Sequence, residues 1–204
     1  MKTLFPWLTA LSVIAAGTVG LAQIERLTLD QMVQKTDDAV VGTIVQQKVF
    51  RVDHPIDGPE LYFTTLSILG NSLTDGGPRE VQVTFPGGFI NENEGVWNSE
   101  APTADEIRIG NKIVAFYGWI DNMGGDVIQL GKRVVAFYKW VDNMGGDVAG
   151  NALWASHGGL YQVAKTGSRE VVLGKGEGYA VASNWDLPVL DREVQRLSKL
   201  YKKN

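Results

Sequence analysis

The feature that most constrains this chain is a tandem repeat. Gly110 to Val127 (GNKIVAFYGWIDNMGGDV) recurs as Gly131 to Val148 (GKRVVAFYKWVDNMGGDV), displaced by 21 residues, with 13 of 18 positions identical. Each copy opens on a β-branched and aromatic run and closes on Asp-Asn-Met-Gly-Gly-Asp, the chemistry of a strand followed by a turn. Two copies are too few for a solenoid, which stacks three or more units. The repeat therefore reads as a duplication inside one domain that adds a hairpin or long excursion. Two near-identical strands compete for one place in a sheet, and the one left out sits at an edge. Among the five differences, Gly118 becoming Lys139 is the informative one. A lysine there implies a solvent-facing or rim position.

Around the repeat the pattern is mostly that of strands. Ala39 to Val52 is valine-rich with apolar residues on both faces near its start, which predicts a strand covered on two sides. Asp53 to Pro59 holds two prolines and Gly58 and predicts a loop or wide turn. Further strands are predicted at Leu61–Leu69, at Glu80–Phe85 before Pro86-Gly87-Gly88, and at Ile113–Ile120. Leu160–Ala164 and Glu170–Leu173 flank Lys165-Thr166-Gly167-Ser168 as a hairpin. Residues 89–106 are acidic, with Trp97 in their midst, and read as the longest irregular segment.

Helices belong to the two ends. Thr28 and Gln31 have the spacing of a capping box opening a short helix to about Asp37. Leu187, Leu190, Val194, Leu197 and Tyr201 recur at three and four residues, an amphipathic helix for which Asp186 is the expected cap. The expected fold is mainly β (α+β by content): a small OB-like, curled antiparallel barrel with a short N-terminal helix and a C-terminal amphipathic helix on its flank.

Residues 1–22 read as a signal peptide. Lys2 gives the positive start, Leu4 to Ala16 the apolar stretch, and Gly20-Leu21-Ala22 the small residues before a cleavage at Gln23. The apolar stretch is shorter than the roughly 18–20 residues that span a bilayer, and no later stretch is apolar enough, so no transmembrane segment is expected after cleavage. Residues 23–204 then form a single domain carrying the duplication. The chain has no cysteine, which excludes disulfides, thiolate chemistry and cysteine zinc sites, and suits a bacterial periplasm or exterior. A net charge of -4 gives no attraction to nucleic acid.

Candidate chemistry is sparse. Among the charged and polar residues, His54 beside Asp53 with Asp57 nearby, and His157 in Ser156-His157-Gly158-Gly159, supply the types a hydrolase needs, but neither a nucleophile elbow nor H-E-x-x-H is present. The paired Asp-Asn-Met-Gly-Gly-Asp loops offer Asp121, Asp126, Asp142 and Asp147 as calcium ligands, yet their spacing is not that of an EF-hand, and the same residues are what turns demand. No cofactor is indicated. The aromatics are the better lead: Tyr117 and Trp119 share one strand face, repeated as Tyr138 and Trp140, and Trp97 stands apart. If Val114 and Phe116 form the core side, the Tyr/Trp face is either half exposed, and suited to gripping a sugar or a protein, or covered by a terminal helix.

Asp38-Ala-Val-Val-Gly-Thr-Ile-Val45, Tyr62-Phe-Thr-Thr65, Val81 to Gly88 and Gly110 to Phe116 resemble a recurrent pattern in exported bacterial proteins without assigned function, over roughly residues 27–165. The order of elements is similar to the netrin-like barrel of tissue metalloproteinase inhibitors, which implies an OB-type barrel with terminal helices. Those inhibitors chelate zinc through an N-terminal cysteine, and this chain has none, so that mechanism is not carried over.

The expected function is an exported, non-catalytic β-barrel module that binds a protein or cell-envelope component. The alternatives are an extracytoplasmic hydrolase using His54 or His157 with nearby carboxylates, and a carbohydrate-binding domain using exposed Trp and Tyr. Mass spectrometry of the secreted form is expected to show an N-terminus at Gln23, free or as pyroglutamate. A membrane-bound product retaining Met1 would refute the signal peptide.

Overall fold

A computed structural model of the chain describes residues 26–120, 146–154 and 156–202. Helix α1 (Leu29–Lys35) starts on the expected capping box: the Thr28 side chain accepts the Gln31 N–H, and the Gln31 side chain accepts the Thr28 N–H at 2.9 Å. Two turns of helix are not stable alone, and α1 is held by burying Met32 and Val33. Strands β1 (Asp38–His54), β2 (Gly58–Ser72) and β3 (Pro78–Pro86) follow as an antiparallel meander. Next come a small separate hairpin, β4 (Gly88–Asn91) with β5 (Glu94–Val96), and then β6 (Lys112–Ile120), which is the strand of the first repeat copy. The described chain resumes before β7 (Gly150–Leu153), continues through β8 (Leu160–Thr166), β9 (Arg169–Val172) and β10 (Trp185–Asp186), and ends in α2 (Leu187–Tyr201).

Five strands close into a barrel in the ring order β1-β2-β3-β7-β6, with β6 returning to β1. A ring with an odd number of strands cannot alternate direction all the way round, so at least one neighbouring pair must be parallel. That pair is β3 and β7, joined at Val83–Asn151 and Thr84–Ala152. The expected barrel is therefore found, antiparallel but for this contact. On the edge of β6 away from β1, β7 pairs with Tyr117–Ile120 and β8 with Ile113–Ala115. From β8 the sheet continues outward through β9 and β10.

The interior is filled by Val40, Ile44, Leu66, Ile68, Val83, Phe85, Ile113, Ala115 and Tyr117 among others. The opposite face of β1 and β6, including Ala39, Val114 and Phe116, packs beneath both helices, where α2 contributes Leu187, Leu190, Val194 and Leu197. The C-terminal stripe is thus buried as predicted except at Tyr201, which is exposed and donates its hydroxyl to Asp30 at 2.7 Å. Asp186 does not cap α2 with its side chain. Its carboxylate accepts the Arg169 guanidinium at 2.5 and 2.6 Å instead, a charge-assisted contact that outcompetes the neutral amide.

The first ring strands are longer than predicted. The loop or wide turn expected over 53–59 is a turn confined to residues 55–57, because His54 pairs with Gly58 and the register slips between Val52 and His54. Pro59 is tolerated at that bulge, where its missing N–H breaks no ladder. Glu60 takes a left-handed conformation (φ 61°), and its N–H is held by Asp53 at 2.9 Å. The acidic segment 89–106 is likewise not irregular throughout, since β4 and β5 lie within it.

Buried polar groups are tied across strands. Asp38 Oδ1 accepts from Ser72 (2.7 Å), Thr74 (2.6 Å) and the Ala39 N–H (2.8 Å), and Oδ2 accepts from Tyr117 (3.1 Å) and Arg79 (3.2 Å). Burial, together with the Asp38 charge, pushes the Tyr117 hydroxyl well above the usual phenol range. Below the barrel, Lys175 meets Glu106 at 2.6 Å and lies 5.8 Å above the Tyr161 ring centroid. Burial pulls Lys175 below the ordinary lysine range, against the opposing effect of Glu106.

Gly42 and Gly70 face one another directly across β1 and β2. A Cβ on Gly70 would lie 2.0 Å from the Val41 carbonyl oxygen, and one on Gly42 would lie 2.5 Å from that of Leu69, so this coil of the hairpin requires glycine on both sides. Gly70→Ala is expected to lower stability by about 3 kcal/mol in urea unfolding. Gly150→Ala, where an added Cβ meets nothing within 4 Å, should stay within about 0.5 kcal/mol.

Candidate functional site

The outer part of the β1–β2 hairpin extends beyond the β1–β6 pairing as a long arm, with β3 paired to β2 from Phe63 inward, and the two faces of that arm are covered differently. On one face, Phe50 stacks on Phe63 with ring centroids 5.6 Å apart. Val52, Leu61, Ile120, Val148 and Ala152 complete a small third core there. On the other face sits the β4–β5 hairpin: a Cβ on Gly88 would fall 2.3 Å from Thr64 Oγ1 and 3.1 Å from Val49, and Thr64 donates to the Gly87 carbonyl at 2.6 Å. Glycines at 87, 88 and 95, all at positive φ, let the hairpin lie this close to the arm.

At the tip of the arm the chain returning into β7 is strapped down. Asp57 accepts the Gly146 N–H at 2.7 Å. His54 Nδ1 accepts the N–H groups of Asp57 (3.1 Å) and Ile56 (3.4 Å), and Nε2 lies 3.2 Å from the Asp147 carboxylate. Asp57 Oδ2 also lies 3.2 Å from Nδ1, and the imidazole is only 12% exposed. Gly146 (φ 63°) and Asp147 (φ 57°) are consecutive left-handed residues, a backbone for which Gly and Asp are suited. Asp53, beside the strap, pairs with Arg51 at 2.9 Å and stays below the usual carboxylate range, chiefly through the Glu60 N–H and then through Arg51.

The sequence candidates are therefore dispersed. His54 does meet two carboxylates, Asp57 and Asp147, but both ring nitrogens are engaged within the strap. His157 falls on the 3-10 turn Ser156–Gly159 between β7 and β8. The expectation of a half-exposed Tyr/Trp face on β6 is corrected at Tyr117, which is 6% exposed. Closing the barrel turns that face inward while the helices cover Val114 and Phe116, so both sides of β6 are buried at this point. Trp119, beyond the last β1 partner of β6 but still paired with Asn151 of β7, is 57% exposed and Trp97 76%. Tyr138, Trp140, Asp121, Asp126 and Asp142 lie outside the described residues. Asp147 belongs to the strap, and among the described residues no three His, Asp or Glu converge as metal ligands.

The sequence reading missed the surface of the β4–β5 hairpin. Phe89 is 52% exposed, and Ile90, Val96 and Trp97 are also exposed. Phe89 lies over Gly95, where a Cβ would come 2.6 Å from its ring. Four exposed apolar side chains on one short hairpin, with Glu92 and Glu94 at its turn, are more than the scattered apolar residues any surface carries. The available signal was Gly87-Gly88-Phe89-Ile90 followed by Gly95-Val96-Trp97 across Asn-Glu-Asn-Glu, a short hairpin pattern.

Comparison with family models, with curated proteins and with solved structures returns no match for this chain.

Asp57→Ala removes the acceptor for the Gly146 N–H, and a loss of about 1–2 kcal/mol is expected. Hydrogen exchange at Gly146 and Asp147 should accelerate while the Ala39–Val41 amides stay protected. Unchanged exchange at Gly146 would show that the strap does not hold this segment.

Proposed function

We propose that the chain is an exported, non-catalytic binding module whose β4–β5 hairpin docks an apolar, basic-rimmed surface of a protein partner. The observation that carries this reading is the exposure of Phe89, Ile90, Val96 and Trp97 together on an element that contributes nothing to ring closure. Aromatic side chains on a rigid, glycine-seated hairpin bring large contact area at little entropic cost. Glu92 and Glu94 at its turn favour a basic rim on the partner. The closed five-stranded ring supports an OB-type assignment, and in such barrels the loop between the first two strands and the loop before the last strand border the ligand face. Here those two loops are fastened to each other by the His54–Asp57–Asp147 strap, which favours a fixed binding surface over a mobile catalytic one. The basic and apolar start of the sequence supports export to a periplasm or exterior, and the 21-residue repeat supports a duplication within the barrel.

A photo-crosslinking residue at position 97 in the exported protein is expected to give one product of discrete mass from the native exported fraction. Phe89→Ser and Trp97→Ser should each weaken binding of that partner about tenfold or more, while Gly150→Ala, where an added Cβ meets nothing within 4 Å, should not. Retention of full affinity in both hairpin variants would overturn the reading. A tryptophan emission shift on titration with cell-wall polysaccharide, without any crosslinked protein, would replace it with the carbohydrate-binding alternative.

A further inference from the structure

We propose that the partner of the β4–β5 hairpin, on the reading that this hairpin docks a protein, is a second copy of the chain, which receives it on the solvent-facing side of α2. The two surfaces are opposite in charge. Residues 89–106 include no lysine or arginine, and Glu92 and Glu94 stand at the hairpin turn, whereas residues 192–202 hold four lysines and arginines against Glu193 alone. In a chain whose net charge is only -4, this sets acid and base apart on two separate elements. On α2, Leu187, Leu190, Val194 and Leu197 are buried. With about 100° of rotation per residue, Val189, Arg192, Arg196, Lys199 and Leu200 fall on the opposite side as one stripe. All five are exposed, Val189 at 42% and Leu200 at 59%.

The chemistry of the stripe matches the hairpin. The aliphatic stems of Arg192, Arg196 and Lys199 carry apolar surface from Val189 to Leu200. Their charged heads suit aromatic faces and carboxylates alike. Phe89 points away from the arm, since the place of a Cβ on the neighbouring Gly88 is against Thr64 and Val49. Arg196 is held by Glu193 at 2.7 and 2.9 Å, so the excess positive charge of the stripe is that of Arg192 and Lys199. Within one chain the hairpin rests on β1 and β2, while α2 rests on α1, β9 and β10, and both surfaces stay open to a neighbour. A symmetric contact of hairpin with hairpin would bring Glu92 and Glu94 of both copies into one interface, like charge against like. Hairpin to α2 is the pairing that charge favours.

Sedimentation velocity of the purified protein decides it. A contact made by one short hairpin is small, and self-association is expected with a dissociation constant of about 10–100 μM, weakening as salt is raised. Phe89→Ser and Trp97→Ser should each weaken it about tenfold or more. Glu92→Lys with Glu94→Lys makes both surfaces basic, and Arg192→Glu with Lys199→Glu makes both acidic. Each of these double variants is expected to stay monomeric with an unchanged far-UV signal. Mixed in equal amounts, the two should associate, because every hairpin then meets a helix of opposite charge. An unsubstituted protein that stays monomeric up to about 1 mM, or a mixture that does not associate, would overturn the second copy as occupant. The crosslinking residue at position 97 separates that result from failure of the docking hairpin itself. A monomeric protein that still crosslinks a different protein loses only the second copy, and one that crosslinks nothing loses both.

Discussion

One carboxylate gathers the ring. Asp38 begins β1, yet its five donors come from the end of β2, the turn after it, the start of β3, the far end of β6 and its own neighbour. A buried carboxylate with fewer partners would destabilise the fold, since each missing donor leaves charge in a poorly solvated place. Fully satisfied, it fixes how far β6 slides along β1, because Tyr117 reaches Oδ2 only in the register that pairs Asp38 with Tyr117. That register in turn places Val114 and Phe116 under the helices and Ala115 and Tyr117 inside the ring. The flank on which α1 and α2 pack follows from this single alignment.

The opposite end of the hairpin solves a different problem. Beyond Phe50 and Phe63 the arm is only two strands wide, a ribbon that is marginal by itself; chain from elsewhere covers the hairpin on both faces, β4–β5 on the Val49–Thr64 side and residues 146–152 on the Phe50–Phe63 side. The two coverings differ in character. The strap is polar and turned inward, its histidine nearly enclosed, whereas the hairpin keeps its apolar side chains toward solvent.

Much of the architecture was legible in local chemistry. Thr28 with Gln31, the Leu187–Leu197 stripe and the valine-rich start of β1 each announce an element through spacing alone, and each is found. The errors arose where local rules met a non-local partner. Prolines 55 and 59 forbid a regular ladder but not a bulge, and the bulge depends on a register set many residues away. Alternation on β6 correctly separated Tyr117 from Phe116. It carried no information that a closed ring would bury both sides, so the exposure of that face was misjudged. Asp186 is a sound cap by position, and Arg169, brought near by the β9–β10 pairing, claims it. The hairpin of the candidate site was hidden because its strands are only four and three residues long and sit in an acidic segment.

The parallel contact that parity forces between β3 and β7 is also the thinnest part of the ring, two residue pairs joining segments that are far apart in sequence. The β1–β2–β3 meander assembles through short turns, but this seam requires β7 to arrive after the whole intervening chain has been placed, a late event by loop-closure entropy. The barrel is therefore expected to form as an open, curled sheet that zips shut last along one line. The same line is where thermal opening is expected to begin, exposing Val83 and Leu153 before the helical flank loosens.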